Sequence, residues 1–292
     1  MIFAIFLFAL VLGGAGSALI KFGGSQINPI SFVFFRAVVS FIVVLPFANK
    51  QELISIIKAP RALIIAGLLF SLNWIFFAYG IQKTNVFTAQ LIYVPTSLIV
   101  AGLGYFLLKE KLKKIQIAGL ILTLAGMLVL FLGSVKSQQT FSLGTPLGNL
   151  LVIGGLISWA LYIVVTRKVS DKFSPLSIIF IDFFLAATVS GILLIPTSQQ
   201  VGFLLIKFEP NLILSIFAAS VLSSVGFFLL NQWLIKKTSA FISSTLIYPV
   251  TLSALVYGII FFGERLSVEI ILASVLILTG VFLGTNLSLT KK

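Results

Sequence analysis

The sequence predicts an all-α integral membrane protein with ten transmembrane helices arranged as two inverted five-helix repeats. Three observations lead to this fold class. The 292 residues are 59% hydrophobic and 9% charged, with a mean hydropathy of +1.19, which is more apolar surface than a soluble fold of this length could bury. Apolar runs of about 18 residues or more recur along the chain. Finally, a set of Pro, Gly and Glu positions repeats at a fixed shift of 154 residues.

The apolar runs divide the chain into ten predicted spans, each long enough to cross a bilayer. They lie at 2–21, 30–48, 61–82, 86–108, 115–132, 147–166, 176–195, 211–235, 240–262 and 268–286. The start, MIFAIFLFAL, lacks a basic segment, so we interpret it as the first span rather than a cleaved signal peptide. The longest stretch without an apolar run is GSVKSQQTFSLGTP. We therefore expect a first five-helix repeat at 1–135, an inter-repeat loop at 136–146 and an inverted second repeat at 147–292.

The repeat is visible at residue types that apolar composition alone does not explain. The shift of 154 residues aligns Thr84 with Thr238, Pro95 with Pro249, Gly104 with Gly258, Glu110 with Glu264, and Gly126 with Gly280. A shift of 146 aligns Asn28-Pro29 with Ser174-Pro175, each an N-cap residue followed by Pro at the first helical position. The two halves are therefore predicted to be copies of one five-helix unit.

Basic residues predict the orientation of the spans. With the N-terminus inside, fourteen Lys and Arg residues lie on the cytoplasmic side and five on the outer side. Both termini are therefore predicted to be cytoplasmic, in the cell membrane, and an odd number of spans per repeat makes the second repeat inverted. The formal charge of +13 belongs to these short loops, so the sequence gives no sign of nucleic-acid binding.

Several chemical classes lack the residues that they need. The chain has no Cys and no His, which excludes disulfides, thiol chemistry, imidazole metal ligands and a His general base. Neither H-E-x-x-H nor G-x-S-x-G occurs. We therefore expect no enzyme activity, no cofactor and no metal site.

Two prolines lie near the centres of the fourth and ninth spans. Pro95 and Pro249 each remove one backbone N–H donor, which predicts kinks and free carbonyls at Leu91 and Thr245. Polar residues share the same turns, and a kinked polar turn at membrane mid-depth is expected where it lines a cavity. The alternative is that Pro is common in membrane helices and the hydroxyls bond their own backbone.

Other polar and aromatic side chains are predicted at the same depth. The cavity candidates are Ser17, Asn73, Trp74, Gln90, Tyr93, Ser97, Ser158, Trp159, Tyr162, Ser220, Ser224, Ser244, Tyr248 and Thr251. For any one of them, packing is the alternative to ligand contact. The fifth and tenth spans instead carry small residues typical of close helix packing, which are Gly119, Thr123, Gly126, Gly280 and Gly284.

Two charged residues, Arg36 and Asp182, fall well inside predicted spans, where each costs about 2.5 to 3.5 kcal/mol at a helix centre. Arg36 is placed toward the outer face, and its long stem would let it reach the headgroups. Asp182 is placed toward the inner face and is too short to do so, which predicts that it faces protein or water. It either binds and releases protons or is a neutral hydrogen-bonding group at a helix contact. A direct pair between Arg36 and Asp182 is not expected. Glu110 and Glu264 end their spans, and we interpret them as anchors for the turn into the next helix.

These motifs are similar to those of a known family. Several motif residues together resemble the repeat of the EamA-type branch of the drug/metabolite transporter superfamily. They are Thr84, Pro95, Gly104, Glu110, Gln116, Gly119 and Gly126 in the first copy, Pro249, Gly258, Glu264 and Gly280 in the second, and also Arg36 and ISWALYIVVTRK (157–168). The resemblance covers the whole chain. It implies ten helices, two inverted repeats and transport or export of small organic solutes. The second copy departs from the first because Tyr248 directly precedes its proline and Asp182 replaces Arg36.

Inverted repeats are the architecture of secondary transporters that work by alternating access. A cavity with so few charges favours neutral or zwitterionic substrates, such as amino acids, over phosphorylated ones. The expected partners are a small-molecule substrate, membrane lipid and protons. A channel or a lipid scramblase with a polar seam is the alternative. The sequence does not determine the substrate, the direction of transport or the oligomeric state.

Overall fold

The computed structural model describes residues 2–48, 50, 61–108, 114–136, 144–201, 207–238, 240–264 and 267–289. All regular structure in these ranges is helical. The α-helices are α1 Ile2–Gln26, α2 Pro29–Val44, α3 Arg61–Gln82, α4 Val86–Tyr93, α5 Thr96–Leu108, α6 Lys114–Lys136, α7 Pro146–Val169, α8 Pro175–Val201, α9 Pro210–Ala218, α10 Phe227–Lys237, α11 Ala240–Ser244, α12 Ile247–Phe262 and α13 Val268–Leu289. A 3₁₀ turn, Leu45–Phe47, follows α2, and a π-helix, Ala219–Gly226, joins α9 to α10.

Seven helical segments of the described residues are long and apolar enough to cross a membrane. They are Pro29–Phe47, Arg61–Gln82, Val86–Phe106, Pro146–Val169, Pro175–Ile195, Pro210–Lys237 and Ala240–Phe262. This confirms a multi-pass integral membrane protein. The first, fifth and tenth predicted spans coincide with α1, α6 and α13, and membrane crossing by these three helices stays a prediction. Glu110 and most of the predicted inter-repeat loop, 137–143, lie outside the described residues.

Prolines mark the starts of four helices. Pro29, Pro146, Pro175 and Pro210 each begin a helix, at a position where the missing N–H is not needed. The predicted N-cap at Asn28 is confirmed, because its side-chain oxygen accepts from the Ile30 N–H at 3.0 Å. The sequence therefore sets these helix starts locally, through one proline and the residue before it.

Helices that are distant in sequence form the main packing pairs. α3 packs on α7, α6 on α13, α1 on α12 and α2 on α8. The segment α9 to α10 packs on α1 and α2, and α7 also packs on α4 and α5. The main core of buried apolar residues runs from α1 through α5, includes α7 and α8, and continues into the segments after α8. A smaller cluster joins α3 and α8 around Leu63 and Ile178. These pairs enclose the centre of the bundle, while α6 and α13 lie together at its side.

The close approach of α6 and α13 agrees with the small residues predicted for the fifth and tenth spans. Gly119, Gly126 and Gly280 are buried. A Cβ on Gly126 would lie 2.7 Å from Ile277 Cγ1 and 3.0 Å from the Ala273 carbonyl oxygen. The burial of Thr123 and of Gly284 lies outside what the structure describes. Glycine therefore permits the backbone contact between these helices.

Both proline-containing spans are interrupted rather than kinked. The chain turns at Val94–Pro95 between α4 and α5, and at Thr245–Leu246 between α11 and α12. The predicted free carbonyls are wrong, because Leu91 accepts from the Val94 N–H and Thr245 accepts from the Tyr248 N–H, both at 3.1 Å. The residue directly before each proline makes this bond. A shorter i+3 hydrogen bond therefore replaces the one that the proline removes.

The Gly126 contact predicts a specific loss of stability. Gly126→Ala should lower the melting temperature of the purified protein, because overpacking costs about 1 to 3 kcal/mol and each kcal/mol shifts melting by about 2 to 4 °C. Gly102→Ala is the matched control, since a Cβ there meets nothing within 4 Å and alanine favours a helix. Equal melting temperatures for the two variants would contradict the proposed packing role of Gly126.

Candidate functional site

A partly open cavity lies at the centre of the helical bundle, with about 700 Å³ of empty space when its open mouth is included. Its lining residues come from α1, α2, α3, α4, α7, α10, α11, α12 and the π-helix. Both halves of the chain therefore contribute to the same cavity.

Some of the predicted cavity residues line this space and others do not. Those that line it are Ser17, Asn73, Trp74, Gln90, Tyr93, Trp159, Ser244 and Arg36. The cavity wall does not include Ser97, Ser158, Tyr162, Ser220, Ser224, Tyr248, Thr251, Pro95, Pro249 or Asp182. Binding of a ligand by the lining set stays a prediction.

Hydrogen bonds hold several lining side chains in place. The Gln90 side-chain amide donates to Ser17 Oγ, which joins α4 to α1. Asn73 Nδ2 donates to Tyr93 Oη at 2.7 Å and to the Gly155 carbonyl at 2.9 Å, which joins α3 to α4 and α7. These bonds fix the orientation of the polar groups at the wall, as a pre-formed site requires.

The predicted residues outside the wall have other contacts. Ser97 and Tyr248 hydroxyls lie 2.5 Å apart and join the two interrupted spans. Thr251 Oγ1 donates to the Ile247 carbonyl at 2.9 Å, and Ser158 Oγ donates to the Gly154 carbonyl at 2.9 Å. For Thr251 and Ser158, the alternative of hydroxyls bonded to their own backbone therefore describes the structure.

Arg36 is the charged member of the cavity wall. Its side chain is only 4% exposed, its Nε donates to Ser224 Oγ at 2.7 Å, and its guanidinium carbon lies 3.9 Å from the centre of the Trp74 ring. Of the two alternatives for Arg36, extension to the outer headgroups is wrong, because these contacts hold the side chain in the interior. Apart from Arg36, the described residues that line the cavity are uncharged, which agrees with the expectation of few charges.

The π-helix positions the partners of Arg36. Ser224 Oγ donates to the Ala219 carbonyl five residues earlier, at 2.9 Å, and Ser220 Oγ donates to the Arg36 carbonyl at 3.1 Å. π-helical turns are rare and often occur at functional sites. Ser220 and Ser224 therefore act on the cavity through Arg36 rather than by lining it.

Asp182 lies in the protein interior, away from the cavity wall. It is fully buried, and Tyr162 Oη donates to its Oδ2 at 2.5 Å, while Gln232 Nε2 donates to Tyr162 Oη at 2.5 Å. No ion pair joins it to Arg36 among the described residues. The Tyr162 ring stacks on Trp159, with centroids 5.1 Å apart. Asp182 thus contacts the cavity through an intermediate tyrosine and tryptophan.

Sequence reasoning missed part of the wall. The missed lining residues are Gly13, Gly16, Ile20, Phe77, Ser223, Phe227, Phe228, Asn231, Ser243, Leu246, Ile247 and Val250. Asn231 had a visible signal, because Asn231-Gln232 is a polar pair within the predicted eighth span. The apolar members had none, since their residue types are equally common at lipid-facing positions.

A polar cluster joins three helices at one end of the cavity. Lys21 Nζ lies 3.2 Å from Glu264 Oε1, and the Glu264 carboxylate accepts from the N–H groups of Val86 and Phe87 at 2.6 and 3.1 Å. Glu264 therefore caps α4 and pairs with α1. The interpretation of Glu264 as an anchor for the turn into the next helix needs correction, because its side-chain contacts are to helices distant in sequence.

Comparison with known proteins agrees with this architecture. The profile of the EamA-like transporter family matches residues 1–132 and 146–285. The protein belongs to the EamA-like transporter family. This confirms the resemblance seen in the sequence, and the EamA protein is a membrane transporter.

The names of individual relatives also describe transporters. The EamA protein is 24% identical over 272 residues to an uncharacterized transporter of Clostridium kluyveri, covering 91% of this chain and 85% of the relative. It is 26% identical over 238 residues to a protein of Rickettsia prowazekii named S-adenosylmethionine uptake transporter, covering 80% and 76%. A solved crystal structure shares the fold, with a TM-score of 0.66, 19% identity, and coverage of 99% of this chain and 98% of its own. These names point to transport rather than to an enzymatic role.

Proposed function

We propose that the EamA protein is a secondary transporter that moves small, amino-acid-like organic metabolites across the cytoplasmic membrane by alternating access. The observation that carries the proposal is the central cavity, which is lined by side chains from both halves of the chain. One relative is named for S-adenosylmethionine, which is itself an amino-acid derivative. The proposed direction, export, rests on the family resemblance alone.

The helix packing supports two inverted repeats at 1–135 and 147–292, joined by the loop 136–146. If each span is equivalent to the one five positions later, every main packing pair has a counterpart. The third and sixth spans (α3 and α7) pack together, and their counterparts are the eighth and first spans (α9 to α10, and α1). The first and ninth spans (α1 and α12) pack together, and their counterparts are the sixth and fourth spans (α7, and α4 with α5). The pairs α2–α8 and α6–α13 correspond to themselves. Such a pairing rule is what two-fold related halves produce.

Alternating access also requires contacts that close one end of the cavity and can separate again. The Lys21–Glu264 pair and the α4 N-terminus tie α1, α4 and α12 together at the end of the cavity next to Ile20. With the proposed orientation this end faces outward. Separation of these three helices would open the cavity to that side, and their contact supports an outward-closed state.

The carrier proposal predicts saturable exchange. Purified protein in liposomes preloaded with unlabelled amino acids should accumulate the labelled amino acid by counterflow, and the initial rate should saturate with concentration. Protein-free liposomes are the control. Linear, nonsaturable solute flux would instead favour a channel, and transbilayer movement of labelled lipid without solute counterflow would favour a scramblase.

The charge distribution predicts cytoplasmic termini in the cell membrane. Fourteen basic residues are assigned to the inner side and five to the outer side. Because the chain contains no cysteine, single-cysteine variants report without background. A membrane-impermeant thiol reagent should label Ser137→Cys in intact cells and should not label Lys292→Cys. The opposite pattern would reverse the orientation.

We further propose that transport is coupled to protons through Asp182. No Lys or Arg of the described residues pairs with its carboxyl group within 4 Å, and its Oδ1 has no hydrogen-bond partner there. A membrane-embedded carboxyl group can bind a proton in one conformation and release it when water reaches it in another. The Tyr162 hydroxyl bonds to this carboxyl group, and the Tyr162 ring packs on Trp159 of the cavity wall. A rearrangement of the wall on ligand binding would therefore reach Asp182 through packing, and the proton itself would come from water that enters in another conformation.

Asp182→Asn tests the coupling, because asparagine can still accept the Tyr162 hydrogen bond. The variant should lose the acceleration of uptake by an imposed pH gradient while substrate exchange stays measurable. Asp171→Asn is the matched control, since Asp171 pairs with Arg167 at the exposed end of α7. A full response of Asp182→Asn to the gradient would remove this residue from the mechanism.

A further inference from the structure

The wall of the cavity contains a cation with no anion beside it. Arg36 is the only charged residue among the described residues that line the cavity. The ion pairs of the described residues, Lys21–Glu264 and Arg167–Asp171, do not involve it. Leaving a charge buried without a partner is costly, so the cavity is electrostatically incomplete when it is empty.

The contacts of Arg36 use only part of its hydrogen-bonding capacity. Of its five N–H donors, the Nε–H donates to Ser224, and the guanidinium face stacks on Trp74. These two contacts fix the plane of the guanidinium group. Its terminal amino groups make no hydrogen bond to the described residues, so the fork that binds carboxylates in a bidentate manner remains available.

Neighbouring wall residues carry further polar groups without partners. The Trp74 indole N–H, the Gln90 side-chain oxygen and both ends of the Asn231 amide are buried and have no hydrogen-bond partner in the described residues. All three residues line the cavity together with Arg36. An unsatisfied buried polar group costs about 1 to 3 kcal/mol. Two of these groups, the indole N–H and the Asn231 amide nitrogen, are donors that suit an anion.

The remainder of the wall is largely apolar and aromatic. Phe77, Trp159, Phe227 and Phe228 line the cavity, and the Trp159 and Phe228 rings pack edge to face with centroids 5.6 Å apart. One guanidinium group balances one negative charge, whereas a phosphate dianion calls for additional cations. The wall therefore matches a ligand with a single anionic group and an apolar body.

We propose that Arg36 binds the carboxylate of an organic monocarboxylate whose apolar or aromatic body packs against the aromatic wall. This rests on the transporter function proposed above and narrows its substrate class, because the carboxylate becomes the group that the site requires. An amino group on the ligand is tolerated and is not required, since no Asp or Glu of the described residues lines the cavity.

Four probes that share a phenyl body test the proposal by thermal shift of the purified protein. 3-Phenylpropionate and L-phenylalanine should raise the melting temperature, while 3-phenylpropanamide and 2-phenylethylamine, which lack the carboxylate, should not. The comparison needs no variant, so it does not depend on the folding of a mutant. Equal stabilisation by the amide and the carboxylate, or stabilisation by none of the four, would overturn the inference.

Variants then locate the binding group. Arg36→Gln should abolish the carboxylate-induced shift, and Arg36→Lys, which keeps the charge without the fork, should weaken binding by about 10- to 100-fold. Arg167→Gln, at the end of α7, is the control for removing a cation elsewhere. Carboxylate binding by Arg36→Gln with unchanged affinity would show that another group holds the anion.

Asn231→Leu tests the site by two changes of opposite sign, one in the melting temperature without ligand and one in the ligand-induced shift. Leucine has nearly the same volume and no polar atoms, so the ligand-free variant should melt higher than the wild type, while the carboxylate-induced shift should become smaller. A lower melting temperature together with an undiminished shift would exclude Asn231 from the anion site. Saturable counterflow of a solute that lacks a carboxylate would overturn the substrate class and leave the transport function intact.

Discussion

The structure depends on one constraint, which is that a backbone in lipid must satisfy its own hydrogen bonds. Helices meet this requirement everywhere except where the chain turns, and the two turns within spans meet it in the same way. The residue before each proline donates to a carbonyl three residues earlier, at Leu91 and at Thr245. Each interruption is thus partly satisfied within the protein, and the two bring Tyr93 and Ile247 to the cavity wall. A bundle of unbroken helices would have had less freedom to place polar side chains there.

The same constraint explains the arrangement around Arg36. In the π-helix Ala219–Gly226 the bonds run to the fifth residue rather than the fourth, and Ser224 adds a side-chain bond to the Ala219 carbonyl. The Ser224 hydroxyl then also accepts from the arginine. Ser220 and Ser40 bond to the Arg36 carbonyl from two helices. Serines thus fix the position of a charge that the surrounding apolar residues could not hold.

The sequence predicted features that depend on local chemistry and missed those that depend on helix rotation. Proline and its N-cap residue predict where α2 and α8 begin, and glycine predicts the close packing of Gly126 against α13. The inward orientation of Arg36 could not be predicted, because a long side chain near mid-span can face the bundle or extend along it. The positions of Phe227 and Phe228 at the cavity wall could not be predicted either, because phenylalanine is equally common at lipid-facing positions. Asn231 was predictable in principle, as an amide inside an apolar run.

The guanidinium of Arg36 would have an electrical consequence under the transport cycle proposed above. If the cavity alternates between the two sides of the membrane, the charge of Arg36 would cross part of the transmembrane field when the cavity is empty, whereas a bound monoanion would neutralise that one charge. A full crossing is worth about 2.3 kcal/mol per elementary charge for every 100 mV. Membrane voltage would therefore act on the return of the unloaded protein and not on the loaded step, so that the resting potential would set how quickly the empty site becomes available again.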